Sequence, residues 1–418
     1  MSRLLEFSGA TVRRINYPSD IGLTVAKGVW GLRTSGLNPD DVLALGQAYR
    51  QGNEAYENNE EAKKEIDDIN KKLYQGADEE LNQLRARGIK TSLASLAEIC
   101  RMVGTKFDFE FTESAVSDLG IKTVKENIGR VFVESQGAVV FEGEKVGLHT
   151  RVFLNSQGLP TYEAKDVGNF IFKKNQYPNW SRAVIVTGNE QREYFKVLFA
   201  ALREIFPEIK DGSLEHIPTS FLTLTTGKMS SRKGNVLTVD SSLGDLQAVA
   251  REKAENARTD DVEALSEMVA VAALKYQVLR QSLGSSIVFD QERAMSFEGD
   301  SGPYLQYTHA RLGSVIAKAE SLGIKASPEK VPAKRYEVEA LLYRFPEIIK
   351  EACDERSPHK VIGYLMELAS AFNSFYATEK IADTNDGFAP YKLALVQGVQ
   401  ATIKNGLWTL GIKAPERM

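Results

Sequence analysis

The sequence predicts an α/β half followed by an all-α half. Three observations carry that prediction. The apolar, β-branched run Arg182-Ala183-Val184-Ile185-Val186-Thr187 stops at Gly188-Asn189, and a strong helical pattern follows from Glu190 to Ile205. Strand, glycine, helix is the α/β unit of a parallel sheet. A second run, Phe221-Leu222-Thr223-Leu224-Thr225, reads as another strand and leads into Gly227-Lys228. From about residue 241 onward, apolar residues recur at helical spacing through 263–281, 305–321, 335–353, 358–377 and 390–410.

The remaining elements follow in chain order. Leu4-Leu5-Glu6-Phe7 reads as the last turn of a helix, and residues 11–17 as a strand ended by Pro18-Ser19-Asp20. A chain that opens in a last turn is expected to lack an upstream part. Residues 53–75 are rich in Glu, Lys and Asn, with Glu60/Lys64 and Asp67/Lys71 four apart. The mixed signs predict a solvated helix held by side-chain pairs rather than a basic RNA-binding face. Strands resume near 131–133, 139–141 and 150–154, and Asn155-Ser156-Gln157-Gly158 is a turn by composition. A helix is predicted over 161–172 with Thr161 as its N-cap. The Pro- and Lys-bearing stretch 324–334 reads as a surface loop.

Composition bounds the function. A chain of 418 residues holds two to four domains at roughly 100–200 residues each. With 43% hydrophobic and 26% charged residues it has the composition of a globular protein with more than one core. The net charge of −4 does not advertise a nucleic-acid partner, so any basic surface must be local. The two cysteines, Cys100 and Cys353, have no metal-spaced neighbours, which fits a reducing cytoplasm and predicts neither a disulfide framework nor a metal site. The four histidines (His149, His216, His309, His359) are scattered. The first residues show no apolar signal region, and no apolar run reaches the length of about 18 residues that a membrane span requires.

Five stretches carry chemistry. Gly227-Lys228-Met229-Ser230-Ser231-Arg232-Lys233-Gly234-Asn235 combines glycines, cations and hydroxyls after a strand, a composition that can fold around a polyphosphate. It is not a Walker A loop, because Leu222 stands where the first Gly is needed and Met229 where Ser or Thr is needed. On composition alone an exposed basic hairpin turn fits equally well. In Thr161-Tyr162-Glu163-Ala164-Lys165-Asp166, Tyr162 and Asp166 are four apart and share one helix face. A carboxylate beside a Tyr ring suits a planar guanidinium, although a plain surface Tyr-Asp pair reads the same way. Gly188 to Tyr194 lies at a strand end and a helix start, where ligands bind in open α/β sheets; a simple helix cap is the other reading. Gly299-Asp300-Ser301-Gly302-Pro303-Tyr304-Leu305-Gln306-Tyr307-Thr308-His309-Ala310-Arg311 is a Gly-rich turn opening a helix, compatible with packing plus a cap. The C-terminal helices carry Phe372-Asn373-Ser374-Phe375-Tyr376 and end at Met418.

Over nearly the whole chain these stretches resemble the arginyl-tRNA synthetases of class I. Lys228-Met229-Ser230-Ser231-Arg232-Lys233-Gly234-Asn235 resembles that family's KMSKS loop, with Ser231 in place of the second Lys. The resemblance implies that Gly188, Gly227, Lys228, Met229, Ser230 and Ser231 bind ATP. It implies that Lys228 stabilises the departing pyrophosphate and that Lys233 substitutes for the missing lysine. Tyr162 and Asp166 match the family's Tyr-x-x-x-Asp arginine site, and Gln191 matches its arginine-contacting Gln. A His usually stands three residues after that Gln, and Tyr194 takes its place here. By the same resemblance Tyr307, His309 and Arg311 face tRNA, and Asn373, Tyr376 and Met418 read anticodon bases. Phe372 and Phe375 are expected in the core.

The fold implied is a Rossmann-like parallel-sheet catalytic domain over 1–240, N-terminally incomplete and with an inserted segment at about 50–130. A helical linker over 241–300 and an α-helical anticodon-binding domain over 301–418 follow. The reaction implied joins L-arginine to tRNA-Arg with ATP and Mg²⁺, normally only when tRNA is bound, on a monomer. The sequence departs from the family in two places. It contains no His-x-Gly-His, and Pro18-Ser19-Asp20-Ile21-Gly22 stands where a Gly-Asp-Trp-Gly-like turn is usual. The chain is therefore expected to begin just after the HIGH motif, without the upstream Glu and Asn that hold the substrate's α-amino group. Two function readings remain: a ligase impaired by that loss, or a non-catalytic truncated paralogue or fragment that binds tRNA. A cysteinyl relative is disfavoured because its zinc-ligating cysteines are missing.

Overall fold

A computed structural model of the chain describes residues 1–220, 222–224, 239–254 and 261–418. The chain divides into two compact units. A helical unit comprises Met1–Val12, Ile99–Thr105 and Ser220–Met418, and a mixed unit comprises Arg13–Glu98 and Lys106–Thr219. Helix α1 (Ser2–Phe7) opens the helical unit.

The mixed unit carries short strands. β1 (Ile15–Asn16) pairs in parallel with β2 (Phe109–Glu110). The strand expected over 11–17 shrinks to two residues, because its partner is equally short and the Asp108 carboxylate takes the Arg14 N–H at 2.8 Å. Between these strands lie α2 (Leu23–Ser35), α3 (Val42–Asn58), α4 (Glu60–Gln75) and the greater part of α5 (Glu79–Met102). The single helix expected over 53–75 is split at Asn59, whose extended backbone ends α3 while its side chain accepts the N–H groups of Glu61 and Ala62. α4 is also more than a solvated rod. Ala62, Ile66, Ile69 and Leu73 recur on one face and are buried against α2 residues Ala26 and Val29. Within the helix Glu60 pairs with Lys63 and Asp68 with Lys72, Glu65 pairs outward with Arg33, and Asp67 takes the Tyr56 hydroxyl instead.

After α6 (Ser114–Glu126), strands β3 (Val133–Ser135), β4 (Ala138–Phe141) and β5 (Arg151–Leu154) form an antiparallel sheet. α7 (Tyr162–Gln176) begins at Thr161 as expected, but the Thr161 hydroxyl does not cap its own helix. It donates to the carbonyls of Val152 at 2.7 Å and Phe153 at 3.0 Å, fastening the helix start to β5. β6 (Ala183–Gly188) and β7 (Leu214–Thr219) pair in parallel from Ala183↔Leu214 to Gly188↔Thr219. A 3-10 turn, Asn189–Gln191, leads into α8 (Arg192–Ile205), and this is the strand–glycine–helix unit read from sequence. Phe195, Leu198, Leu202 and Ile205 of α8 meet Phe132, Phe153 and Val167 in the main core of this unit.

In the helical unit, β8 (Leu222–Leu224) pairs in parallel with β9 (Ile287–Phe289). The helices are α9 (Val239–Ala254), α10 (Val262–Leu279), α11 (Gln291–Ala294), α12 (Gly302–Ser321), α13 (Glu337–Asp354), α14 (Pro358–Thr378) and α15 (Ala389–Thr409). β9 is the element that the helical reading of this half misses. Ser301 caps α12 by accepting the Tyr304 N–H at 3.1 Å, and Pro303 sits in the first turn. Leu305, Leu341, Leu365, Phe372, Val396 and Ile403 are core here, and Phe375 joins them as expected. Gly302 lets α12 approach α10, since a Cβ there would run into the Ala272 carbonyl. The stretch 324–334 has no helix. No helix among the described residues is long and apolar enough to cross a membrane.

Candidate functional site

Helix α7 organises the mixed unit's site. It lies unusually close to α6, because a Cβ at Gly120 would strike the Ala164 carbonyl and one at Gly168 the Val116 carbonyl. That approach lets Lys165 reach the Glu113 carboxylate, and the two side chains are only 4% and 7% exposed. Ser19 donates to the same carboxylate at 2.9 Å, and the Tyr17 hydroxyl donates to the Lys165 carbonyl at 3.3 Å. Asp20 accepts the Ser114 N–H at 2.9 Å and the Ser114 hydroxyl at 2.6 Å. The turn that looks degraded in sequence is therefore pinned to the base of α6 by its own polar groups.

At the next residue of α7, the Asp166 carboxylate is partly buried. The Tyr194 hydroxyl of α8 donates to its Oδ2 at 2.5 Å and Asn169 Nδ2 donates to its Oδ1 at 3.3 Å. Burial pushes the Asp166 carboxyl above its ordinary range, while the Tyr194 and Asn169 donors pull it back. Burial likewise pushes the Lys173 ammonium down. The Arg151 guanidinium lies 5.2 Å from the Tyr194 ring centroid and is held at 2.9 Å by Glu163. Arg151 is thus already engaged, and Asp166 has no arginine partner of its own among these contacts.

Tyr162 is half exposed. Its hydroxyl is 3.3 Å from the Thr24 hydroxyl, and Lys165 Nζ lies 4.3 Å from its ring centroid. It lines an open pocket of about 420 Å³ together with Lys165, Gly22, Asn70, Tyr74 and Asn155. Tyr162 and Asp166 are one turn apart as the sequence implied, but Tyr162 faces the pocket and Asp166 faces α8. Gly188 ends β6, with the Glu190 side chain folded over its Cα. Gln191 is exposed at the start of α8. His216 on β7 is a neighbour that the motif reading passed over. Its Nε2 is 2.8 Å from the Thr187 hydroxyl and its ring stacks on Phe195 at 4.4 Å, with burial lowering its pKa. Gly227, Lys228, Met229, Ser230, Ser231 and Lys233 lie outside the described residues.

In the helical unit, α12 and α14 present a second surface. Tyr307 is 44% exposed. Arg311 stacks over the Tyr376 ring at 4.6 Å, and Asn373 Nδ2 donates to the Tyr304 hydroxyl at 2.7 Å. His309, expected to face a ligand, is fully buried, and its Nδ1 donates to the Pro415 carbonyl at 2.9 Å. Gln306, also buried, donates to the Lys413 carbonyl at 2.8 Å, so these two side chains strap the C-terminal tail to α12. Met418 is partly buried against Leu246 and Leu265.

Lys275 completes that strap by donating to the Gly411 carbonyl at 2.6 Å. Burial, then the charges of Arg3 and Lys413, push its ammonium down from 10.5 to about 8. Between those values the unfolded chain holds a proton that the folded chain lacks, so this group makes stability rise with pH across that window. Lys275→Met is expected to flatten that rise in urea titrations at matched pH. Parallel curves for variant and wild type would count against it.

Comparison with known proteins adds the following. Residues 1–291 match the family described as "tRNA synthetases class I (R), catalytic domain", and residues 305–418 match the "DALR anticodon binding domain". The arginine–tRNA ligase of Ligilactobacillus salivarius is 31% identical over 401 residues, covering 95% of this chain and 70% of the relative. That of Pyrococcus abyssi is 29% identical over 485 residues, covering 100% of this chain and 76% of the relative. The arginyl-tRNA synthetase structure from Thermus thermophilus superposes with a TM-score of 0.81 at 27% identity, over 100% of this chain and 78% of that one.

Proposed function

The chain belongs to the class I arginyl-tRNA synthetase family, and from that premise we propose that it is an arginine–tRNA ligase, activating L-arginine with ATP and transferring it to tRNA-Arg. The observation that carries the proposal is the Asp166 carboxylate, oriented by Tyr194 and Asn169 and, among the described residues, without an arginine partner of its own. A substrate guanidinium supplies the planar donor set that such a carboxylate binds. In this proposal Tyr162 and Gln191 flank the substrate, and Gly188 lets the nucleotide approach the end of β6. Gly227 to Ser231, with Lys228 foremost and Lys233 behind it, stabilise the pyrophosphate as it leaves. Mg²⁺ arrives on the phosphates of ATP.

The helical unit supplies the tRNA surface. Tyr307, Arg311, Asn373 and Tyr376 offer π-faces and edge donors to unpaired bases, while His309 acts from behind by holding the tail that ends in Met418. The catalytic region at 1–240, the linker at 241–300 and the anticodon-binding region at 301–418 divide the work. Action as a monomer in the cytoplasm belongs to the same proposal, and two cysteines that form no disulfide fit a reducing compartment.

The test is binding of labelled tRNA-Arg against a non-cognate tRNA across salt. Tyr376→Ala is expected to weaken the cognate complex roughly five- to a hundredfold, the effect of losing about 1–3 kcal/mol of base stacking. Equal, steeply salt-dependent binding of both tRNAs would defeat the proposal. The alternative reading is tRNA binding without amino-acid activation. ATP–pyrophosphate exchange with arginine and tRNA present separates the two. Turnover within the usual enzyme range of about 1–1000 per second supports the ligase, and selective tRNA binding without exchange supports the alternative.

A further inference from the structure

Tyr194 occupies a position where the family usually places a histidine, and its hydroxyl makes the shorter of the two contacts to Asp166. An ionised carboxylate offers about four acceptor sites, two on each oxygen. Among the described residues, Tyr194 takes one on Oδ2 and Asn169 takes one on Oδ1, which leaves one site on each oxygen. A guanidinium fork uses one site on each oxygen when it binds side-on, whereas a primary ammonium needs only one of them. We propose that Tyr194 is a positioning and specificity-determining residue of this chain, which fixes the Asp166 carboxylate with one acceptor site per oxygen turned to a guanidinium ligand. The inference rests on the arginine reading of the site.

The surroundings of Tyr194 support the role. The ring packs against the Arg151 guanidinium at 5.2 Å and lies nearly perpendicular to the Phe195 ring, their centroids 4.9 Å apart, so the hydroxyl has little freedom to leave Asp166. Arg151 is itself held by Glu163, which keeps it from competing for the Asp166 carboxylate. Among the described residues, the charged and titratable groups around Asp166 are Lys165 and Lys173 from its own helix, Tyr17 and Glu113 from the segments packed against it, and Tyr194. The Tyr194 donor is the largest influence holding the carboxylate in its charged form against burial. Removing the hydroxyl therefore moves the loss of ligand binding to higher pH as acid is added.

The experiment is calorimetric titration of the full chain with L-arginine and with L-citrulline, its neutral counterpart, from neutral pH into mild acid. Wild type, Tyr194→Phe, Tyr194→His and Asp166→Asn are compared, with thermal unfolding as the check on folding. Tyr194→Phe is expected to lose roughly ten- to a hundredfold in arginine affinity, the effect of one hydrogen bond to a charged group, and to lose binding at higher pH than wild type. Tyr194→His, which restores a donor, is expected to recover most of the affinity and of the preference over citrulline. Wild-type affinity and pH profile in Tyr194→Phe would overturn the inference while leaving the arginine reading standing. Failure of wild type to prefer arginine over citrulline would overturn that reading and the inference with it.

Discussion

Asp166→Asn is expected to abolish useful arginine binding while leaving the protein as stable as before. Removing one partner of a hydrogen-bonded charge pair costs about 2–5 kcal/mol in binding, roughly thirty- to several-thousandfold. Asparagine has the same shape but presents an NH₂ donor where the guanidinium brings donors of its own, so one side of the fork is left facing a donor. Stability moves the other way. In the free protein the Asp166 carboxyl is raised above its ordinary range by burial, which means the ionised form costs free energy there. The neutral amide removes that cost and keeps partners, since its oxygen and nitrogen can both meet the Tyr194 hydroxyl and Asn169. A melting point at or above wild type, together with arginine-dependent pyrophosphate exchange or arginine affinity reduced at least thirtyfold, is the expected pair of results. A variant that binds arginine like wild type would remove Asp166 from the site, whatever its stability.

What could be read from the sequence, and what could not, follows how far each interaction reaches along the chain. The unit from Ala183 to Ile205 was legible because its signals are local: β-branched residues, a glycine, then apolar residues at helical spacing. The break at Asn59 was also local, an Asn followed by Glu60 and Glu61, but the charge pattern around it suggested one continuous helix. β9 was passed over for a similar reason, being only three residues, Ile287 to Phe289, inside a long helical half. The contacts made around the candidate site were not legible in the sequence. Asp166 could be picked out by type and spacing, yet its strongest partner is 28 residues away, and Lys165 meets Glu113 across 52 residues. No periodicity encodes such pairs. His309 is the sharper lesson. A histidine among aromatic and basic residues looks like a ligand-facing group, but the same ring can satisfy a carbonyl, and here it is buried on that of Pro415. Its burial depends on where the C-terminal tail returns, 106 residues later.

The second large effect concerns folding rather than binding. Lys165→Met is expected to destabilise the mixed unit by about 3–5 kcal/mol, because it leaves the Glu113 carboxylate buried without its cation. Glu113 is 7% exposed and burial already pushes its carboxyl upward against the pull of Lys165 and Ser19. Without Lys165, the Ser19 hydroxyl donor at 2.9 Å cannot stabilise a full charge alone. A loss of that size is a large share of the roughly 5–15 kcal/mol that holds a domain together, so the urea midpoint should fall sharply. The double variant Glu113→Gln with Lys165→Met separates charge from packing. It removes both charges and keeps near-normal volume, and is expected to recover most of the lost stability, as replacement of buried ion pairs often does. If the double variant is as unstable as Lys165→Met alone, the cost lies in packing beside Gly120 and Gly168 and not in the orphaned carboxylate. Lys165→Met unfolding at the wild-type urea concentration would mean that water already reaches the pair. Neighbouring residues of one helix are therefore expected to carry opposite signatures: substitution of Asp166 should change binding with little effect on stability, and substitution of Lys165 should change stability at the foot of the same proposed site.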